Sequence, residues 1–306
     1  MGNAGAVAKT VREARLDVVV LPDVGMSAKS VLLANLRLAR AQCAAWGHPV
    51  STGSECVEYF ISCEAMEPED AQAHYSEKLI TLPGIGVRYR LPKPPALAIA
   101  RNSAFPVTGT SISARSRCAR SIPTTMRFSS SSSIGTHVRS SCSSMASRLA
   151  RRSRSRSGWS RQCGHAVCRR ASIFKFLPRM GRAQFLDVMT VSDVMIDTLR
   201  WSGGNTALDA LSSALPIVTV EGRYMRGRQT AAMLRILGIG ELIAANADQY
   251  LGLAQKVASE PTYRRELALR IRTRLPDLVD RSEPIAALAG ALERVATQQA
   301  RGGRDV

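Results

Sequence analysis

The residues whose types and spacing best suit chemistry form a glycine-rich turn at the start of a predicted helix. The sequence reads Trp-Ser-Gly-Gly-Asn-Thr-Ala-Leu-Asp at 201–209. Two glycines, Gly203 and Gly204, allow a ligand to approach the backbone closely. The next residues, Asn205 and Thr206, can cap the helix, and free backbone N–H groups at a helix start attract phosphate. The pattern indicates either a simple helix cap or a nucleotide-sugar diphosphate site.

Apolar patterns around this turn alternate between strands and helices. Strands are predicted at 16–21, 43–46, 57–62, 78–82, 194–197 and 216–220. Helices are predicted at 28–40, 68–77, 182–191, 205–214, 228–237, 241–259, 261–275 and 284–299. In helix 28–40, Val31 and Leu32 belong to the predicted apolar face. Such alternation predicts an α/β fold with parallel sheets, which bind ligands at the carboxyl ends of their strands.

Composition sets the class of protein. The chain has 306 residues, of which 45% are hydrophobic and 5% aromatic, enough for one large core or two ordinary ones. We expect no membrane association, because no run of 18 apolar residues occurs. Seven cysteines without paired spacing favour reduced thiols and a cytoplasmic location. The sequence Cys-Gly-His-Ala-Val-Cys at 163–168 offers three zinc ligands without a fourth, so no metal is expected.

The positive charge of the chain is concentrated in one segment. The formal net charge is +18. The interval 78–186 contains no acidic residue and 21 of the 42 basic ones, which leaves 21 basic against 24 acidic residues elsewhere, a net charge of −3. Within it, residues 98–173 are rich in serine and arginine and lack helical or strand periodicity. We expect this segment to be irregular and without a packed core.

Three interpretations of residues 98–173 compete. The segment is a disordered RNA-binding insert, a plain disordered linker, or the product of an out-of-frame reading of the gene. The Arg/Ser tract at 151–157 supports the first, since arginine neutralises phosphate. We favour the third, because a GC-rich gene read in a shifted frame would be rich in Ser and Arg and poor in acidic residues. Specific nucleic-acid binding is therefore not expected.

Several further motifs occur in one order along the chain. They are Trp-Gly-His-Pro-Val-Ser-Thr-Gly at 46–53, His-Tyr-Ser-Glu-Lys-Leu at 74–79, Leu-Pro-Gly-Ile-Gly at 82–86 and Asp-Val-Met-Ile-Asp-Thr at 193–198. With the glycine-rich turn, they resemble the catalytic region of the SPINDLY-like O-linked N-acetylglucosamine transferases over residues 16–92 and 174–275. The resemblance implies two Rossmann-like lobes of GT-B type. It also implies transfer of N-acetylglucosamine from UDP-GlcNAc to Ser or Thr of an acceptor protein or peptide, without a cofactor.

The resemblance also implies roles for individual residues. On the donor side, Asn205 and Thr206 would bind the diphosphate, Asp209 the ribose and Arg182 the region of the uracil. Ordinary alternatives are helix capping for the first two, a solvated acid for Asp209, and an exposed helix arginine for Arg182. The acceptor-side loop would comprise His48, Pro49, Thr52 and Gly53. No residue is assigned as the general base.

The frame-shift hypothesis has a test in the genetic code. Combining the third base of each codon with the first two of the next across 115–126 can recover Gln, Lys and Ile-His-Pro-Asp-Tyr-Asp, which resembles the family at this point. In the family, that Gln and Lys contact the donor, whereas here the positions read Arg115/Ser116 and Ala119/Arg120. A lysine there would stabilise the leaving diphosphate.

The resulting domain prediction has three parts. A partial N-terminal catalytic lobe spans 1–97, the aberrant or disordered segment spans 98–173, and a C-terminal nucleotide-sugar-binding lobe with terminal helices spans 174–306. The first strand corresponds to a later strand of the family's first lobe, so we expect that lobe to be incomplete. Impaired activity is expected, and the alternatives are a non-catalytic remnant and an RNA-binding protein.

Overall fold

A computed structural model describes residues 4–92, 111–112, 177 and 180–302 of the chain. These residues form two lobes, each built on a four-stranded parallel sheet. The predicted α/β class and its two-lobed arrangement are therefore confirmed. The predicted irregular segment 98–173 lies outside the described residues, except for Ser111–Ile112, which form a strand that the loss of periodicity did not predict.

The first sheet keeps its strands in chain order. Its members are β1 (Val18–Leu21), β2 (Ala41–Ala45), β3 (Tyr59–Cys63) and β4 (Lys78–Leu82). The two central strands are almost entirely buried, whereas the two edge strands are only partly covered. The central strands β2 and β3 are mostly apolar, with Gln42 and Ser62 as buried polar exceptions, because a central parallel strand is covered on both faces.

The helices of the first lobe differ from the sequence prediction, which gave a longer helix at 28–40 and none at 4–13. They are α1 (Ala4–Glu13) and α2 (Ala28–Ala34). Leu33 packs with Ala8 in a small buried cluster, while Val31 and Leu32 are 41% and 58% exposed. The predicted apolar face of helix 28–40 was therefore wrong. α2 buries the side that faces α1, and it ends early so that the chain can turn into β2.

The second lobe repeats the alternation. Its strands are β5 (Ser111–Ile112), β6 (Val194–Ile196), β7 (Ile217–Val220) and β8 (Ile243–Ala244), paired in that order. Its helices are α3 (Arg182–Thr190), α4 (Asn205–Ser212), α5 (Gln229–Ile236), α6 (Ala247–Ser259) and α7 (Pro261–Leu278), followed by α8 (Glu283–Gly302). None of the described helices is long and apolar enough to cross a membrane.

Two predicted helices differ from the structure. Residues 68–77 contain only a single 3-10 turn, Ala71–His74. Predicted helix 241–259 is divided, because a 3-10 turn and β8 precede α6. Asn246 separates them, since its side chain accepts a hydrogen bond from the backbone N–H of Gln249 at 2.9 Å and so begins a new helix.

The two lobes share packing. α8 returns to the first sheet, where Val295 packs with Ala41 and Ile61. In the other direction, Met66 and Ile85 of the first lobe belong to the core of the second. Apolar burial on both sides fixes the lobes against each other, and the residues that follow β2 come to lie beside those that follow β6.

Candidate functional site

A buried carboxylate organises the glycine-rich turn. Asp197, directly after β6, accepts hydrogen bonds from the backbone N–H groups of Gly203 and Thr198, both at 2.9 Å. It also accepts hydrogen bonds from the hydroxyls of Ser202, at 2.8 Å, and Thr219, at 2.9 Å. Burial raises the pKa of Asp197, and hydrogen bonds from Thr230, Gly203, Ser202 and Thr219 oppose that increase. The chain therefore folds as a turn here because four donors converge on one side chain.

The two glycines are required by packing. A Cβ at Gly203 would lie 3.3 Å from the backbone nitrogen of Ala207, and one at Gly204 would lie 2.7 Å from Oε1 of the buried Gln229. The same hypothetical Cβ at Gly204 would be 3.9 Å from Trp46 of the first lobe. The turn is therefore tightly enclosed by both lobes.

The start of α4 differs from the predicted cap. Gly204 is the N-cap residue and gives no side-chain hydrogen bond, while Asn205 is already the first helical residue. The predicted capping by Asn205 and Thr206 was therefore wrong. Among the described residues, neither Asn205 nor Thr206 donates its backbone N–H in a hydrogen bond, as is usual for the first turn of a helix. These N–H groups can donate hydrogen bonds to a bound anion.

Asp209 is buried and paired. Its residue exposure is only 8%, and its Oδ1 accepts hydrogen bonds from Arg182 Nη2 at 2.6 Å and from the Tyr89 hydroxyl at 2.5 Å. Arg182 Nη2 also donates to the Tyr89 oxygen at 2.8 Å. The solvated first-turn acid considered from the sequence was therefore wrong. The structure brings Arg182 and Asp209 together as one cluster.

Tyr89 was missed by sequence reasoning. It lies 120 positions from Asp209 in the chain, and nothing in its local pattern distinguishes it from a packing residue. Burial raises the pKa of Tyr89 to about 12, and the Asp209 carboxylate contributes to that increase, while Arg182 opposes it. The phenol therefore remains a hydrogen-bond donor at neutral pH.

The acceptor-side loop is partly beside the glycine-rich turn. The His48 ring lies 5.2 Å from the Trp201 ring, centroid to centroid, at an interplanar angle of 43°. Gly25, with φ +105°, makes room for it, since a Cβ there would lie 2.5 Å from the imidazole. Burial lowers the pKa of His48, although Asp23 opposes the decrease. The adjoining Pro49 is buried.

The other end of the same loop has a structural partner. Glu77 accepts the backbone N–H of Thr52 at 2.7 Å and the hydroxyls of Thr52 and Ser51, the latter at 2.8 Å. Although burial alone would raise the pKa of Glu77, these hydrogen bonds lower it overall. Gly53 is exposed with φ +63°. Thr52 and Gly53 therefore shape the loop, and only His48 of this group contacts the glycine-rich turn.

Nearby residues have partners within the protein. The His74 side chain is only 10% exposed and packs edge-on against Tyr224 at 4.7 Å. Arg228 pairs with Glu221 at 2.8 Å and donates to the carbonyl of Met66. In the part of the chain that the structure describes, no group of three or more His, Cys, Asp or Glu is placed to hold a metal.

Sequence comparison finds that this chain is similar to one protein family and to individual curated proteins. The family model described as glycosyl transferase family 41 matches residues 182–278. A probable UDP-N-acetylglucosamine–peptide N-acetylglucosaminyltransferase SPINDLY from Eustoma exaltatum subsp. russellianum is 24% identical over 283 residues, and its Arabidopsis thaliana counterpart is also 24% identical over 283 residues; each match covers 87% of this chain. The chain spans 29% of the length of both.

One solved structure shows the same fold. A mutant of the Thermobaculum terrenum O-GlcNAc transferase superposes with a TM-score of 0.68 at 20% identity, covering 98% of this chain and 57% of that one. The matched family region contains Arg182, the glycine-rich turn and Asp209. Residues 182–278 thus match the glycosyl transferase family 41 model, and the two lobes share the fold of that O-GlcNAc transferase structure.

Proposed function

We propose that this chain binds UDP-GlcNAc between its lobes and represents a protein O-GlcNAc transferase that uses Ser or Thr hydroxyls of proteins as acceptors. The observation that supports this most directly is the start of α4. The backbone N–H groups of Asn205 and Thr206 lie at the N-terminus of α4, where the helix dipole favours negative charge. The diphosphate of the donor carries that charge, so the turn is suited to it without a metal ion.

The ribose end of the donor fits the next turn of α4. Asp209 lies one helical turn beyond Asn205, and its carboxylate can accept hydrogen bonds from two ribose hydroxyls. Arg182 pairs with the same carboxylate and has a side chain 57% exposed, so it can contact the base beyond the ribose. Uracil, ribose and diphosphate would then follow one line along the N-terminal half of the helix.

The acceptor would approach from the first lobe. The contact of His48 with Trp201 at the edge of the glycine-rich turn supports an acceptor-side loop near the sugar end of the proposed donor. In the reaction, the acceptor oxygen forms a bond to C1 of the sugar with inversion. The bond between C1 and the β-phosphate oxygen breaks, UDP leaves with the electron pair, and the hydroxyl proton is lost. Rate acceleration would come from positioning and from stabilisation of the leaving charge.

We expect turnover by this chain to be impaired. The family's donor-contacting Gln and Lys are replaced by Arg115/Ser116 and Ala119/Arg120, and loss of one charge-stabilising group typically lowers kcat by roughly 10²–10³. Binding of the donor and its transfer are therefore separate parts of the proposal. Reduced thiols at Cys43, Cys56 and Cys63 are compatible with the cytoplasmic location inferred from the sequence.

Calorimetry with UDP tests the donor site in the full-length chain. Asp209→Ala should weaken UDP binding roughly 10- to 100-fold, the equivalent of about 1.5–3 kcal/mol for hydrogen bonds to a charged group. The matched control is Asp248→Ala, which removes an exposed first-turn acid from α6. Equal UDP affinity of wild type and Asp209→Ala would remove the donor-site assignment.

Transfer is tested separately with UDP-GlcNAc, a panel of other UDP- and GDP-linked sugars, and a Ser/Thr-containing peptide library. We expect binding of UDP-GlcNAc with turnover near background. Robust transfer would contradict the expected impairment but support the assigned reaction. Failure to bind any UDP compound would favour the non-catalytic remnant.

A further inference from the structure

The segment that leaves the first sheet is fixed against the second lobe by two contacts next to Tyr89. The Arg88 Nε donates to Asp280 Oδ1 at 2.7 Å, and the backbone N–H of Asp280 donates to the Tyr89 carbonyl at 2.9 Å. Asp280 lies in the connection between α7 and α8. One backbone hydrogen bond and one side-chain ion pair therefore anchor the segment that carries the Tyr89 side chain.

From that position, the Tyr89 hydroxyl completes a three-membered cluster. It donates to Asp209 Oδ1 and accepts from Arg182 Nη2, which also donates to Oδ1. The guanidinium carbon of Arg182 lies 5.8 Å from the centre of the Tyr89 ring. Within the described residues, every hydrogen bond to the Asp209 side chain therefore uses the same oxygen.

This one-sided arrangement constrains rotation of the carboxylate. Tyr89 and Arg182, one from each lobe, both donate to Oδ1 and so fix the orientation of the Asp209 carboxylate plane. Arg182 alone is a weaker constraint, because its side chain is 57% exposed and free to exchange with solvent. Tyr89 is half-buried, carries one rotatable hydroxyl and approaches from a fixed backbone, so it is the more rigid of the two partners.

We propose that Tyr89 is a positioning residue for ribose recognition, which orients the Asp209 carboxylate so that its second oxygen receives the ribose hydroxyls. This inference rests on the proposed donor site and adds a residue from the opposite lobe to it. It also means that the ribose subsite is complete only when the two lobes are in contact, because its acid and its positioning hydroxyl come from different lobes.

The test compares UDP with 2′,3′-dideoxy-UDP by calorimetry in the full chain. Wild type should prefer UDP by roughly tenfold or more, as expected for hydrogen bonds to a charged group. Tyr89→Phe should reduce this preference at least threefold while leaving the affinity for the dideoxy compound nearly unchanged. The matched control, Tyr263→Phe, removes a hydroxyl from a tyrosine that packs on Lys256 far along the chain and should retain the wild-type preference.

A double-mutant cycle separates positioning from general stability. In an Asp209→Ala background, Tyr89→Phe should have no further effect on the preference for UDP, because no side-chain acceptor is left to orient. A structural role would instead weaken both nucleotides in both backgrounds. An unchanged UDP preference in Tyr89→Phe would overturn the inference while leaving the donor site intact. Wild type that binds neither nucleotide would overturn the donor site, and the inference with it.

A second measurement does not depend on the folding of Tyr89→Phe. Replacement of Tyr89 by 3-fluorotyrosine retains the ring and the hydroxyl, and its fluorine NMR signal reports the environment of that hydroxyl. The signal should shift on saturation with UDP and shift much less with 2′,3′-dideoxy-UDP. The absence of any shift with saturating UDP would also overturn the inference.

Discussion

Replacement of Asp197 by alanine tests whether the buried carboxylate holds the glycine-rich turn. In the folded protein its Oδ1 accepts the backbone N–H groups of Gly203 and Thr198. The hydroxyls of Ser202 and Thr219 on Oδ2 can turn to other acceptors, and Ser202 already contacts the Thr230 hydroxyl at 2.7 Å. The two N–H groups cannot, so they determine the magnitude of the effect.

A buried donor left without an acceptor costs about 1–3 kcal/mol. Two such donors predict that Asp197→Ala lowers the free energy of unfolding by about 2–6 kcal/mol, a large part of the 5–15 kcal/mol that is usual for a domain. At about 4 kcal/mol, the thermal midpoint would fall by roughly 10 °C. Urea unfolding followed by circular dichroism measures the first quantity, and a thermal scan measures the second.

Asp197→Asn is the matched control. Its remaining oxygen can occupy the Oδ1 position and accept both N–H groups, while the hydroxyls of Ser202 and Thr219 can accept from the new amide. We expect a loss below about 2 kcal/mol. A loss below 1 kcal/mol for Asp197→Ala, or equal losses for the two variants, would refute the assignment of the turn to this carboxylate.

Three further predictions concern other parts of the molecule. Hydrogen bonds lower the pKa of Glu77 below its ordinary value of 4.5. The Glu77 carboxylate therefore stabilises the fold above that pH, and this contribution is lost as the pH falls. Thermal midpoints measured from pH 7 down to about 3 should fall more steeply for wild type than for Glu77→Gln. Burial raises the pKa of Cys43 to about 12, so peptide mass spectrometry should find it alkylated at pH 8 only after unfolding; rapid labelling of the native protein would contradict its burial. RNA binding should be weak, salt-sensitive and lost on deletion of 148–170; sub-micromolar, sequence-selective binding at physiological salt would instead support the RNA-binding alternative.

The sequence by itself determined the parts of this protein that depend on neighbouring residues. Apolar runs predicted six of the eight described strands, and apolar spacing predicted most helices, since each element buries residues set by its own pattern; β5, β8 and α1 were not predicted. The glycine-rich turn was also predicted, because Gly203 and Gly204 are needed where a strand, a turn and a helix meet within a few residues. Helix ends were less predictable. The N-cap residue of α4 is Gly204, whereas the sequence predicted capping by Asn205 and Thr206.

Only the tertiary structure decided which side chains have partners. Asp209 reads as a solvated acid or a ribose ligand in the sequence, yet its burial depends on Tyr89 arriving from the other lobe. His74 similarly becomes buried because Tyr224 covers it. These contacts join residues more than a hundred positions apart, and their geometry depends on how two sheets and α8 pack together. Local patterns contain no information on that packing, because hydrogen bonds and desolvation depend on distances in space and not along the chain.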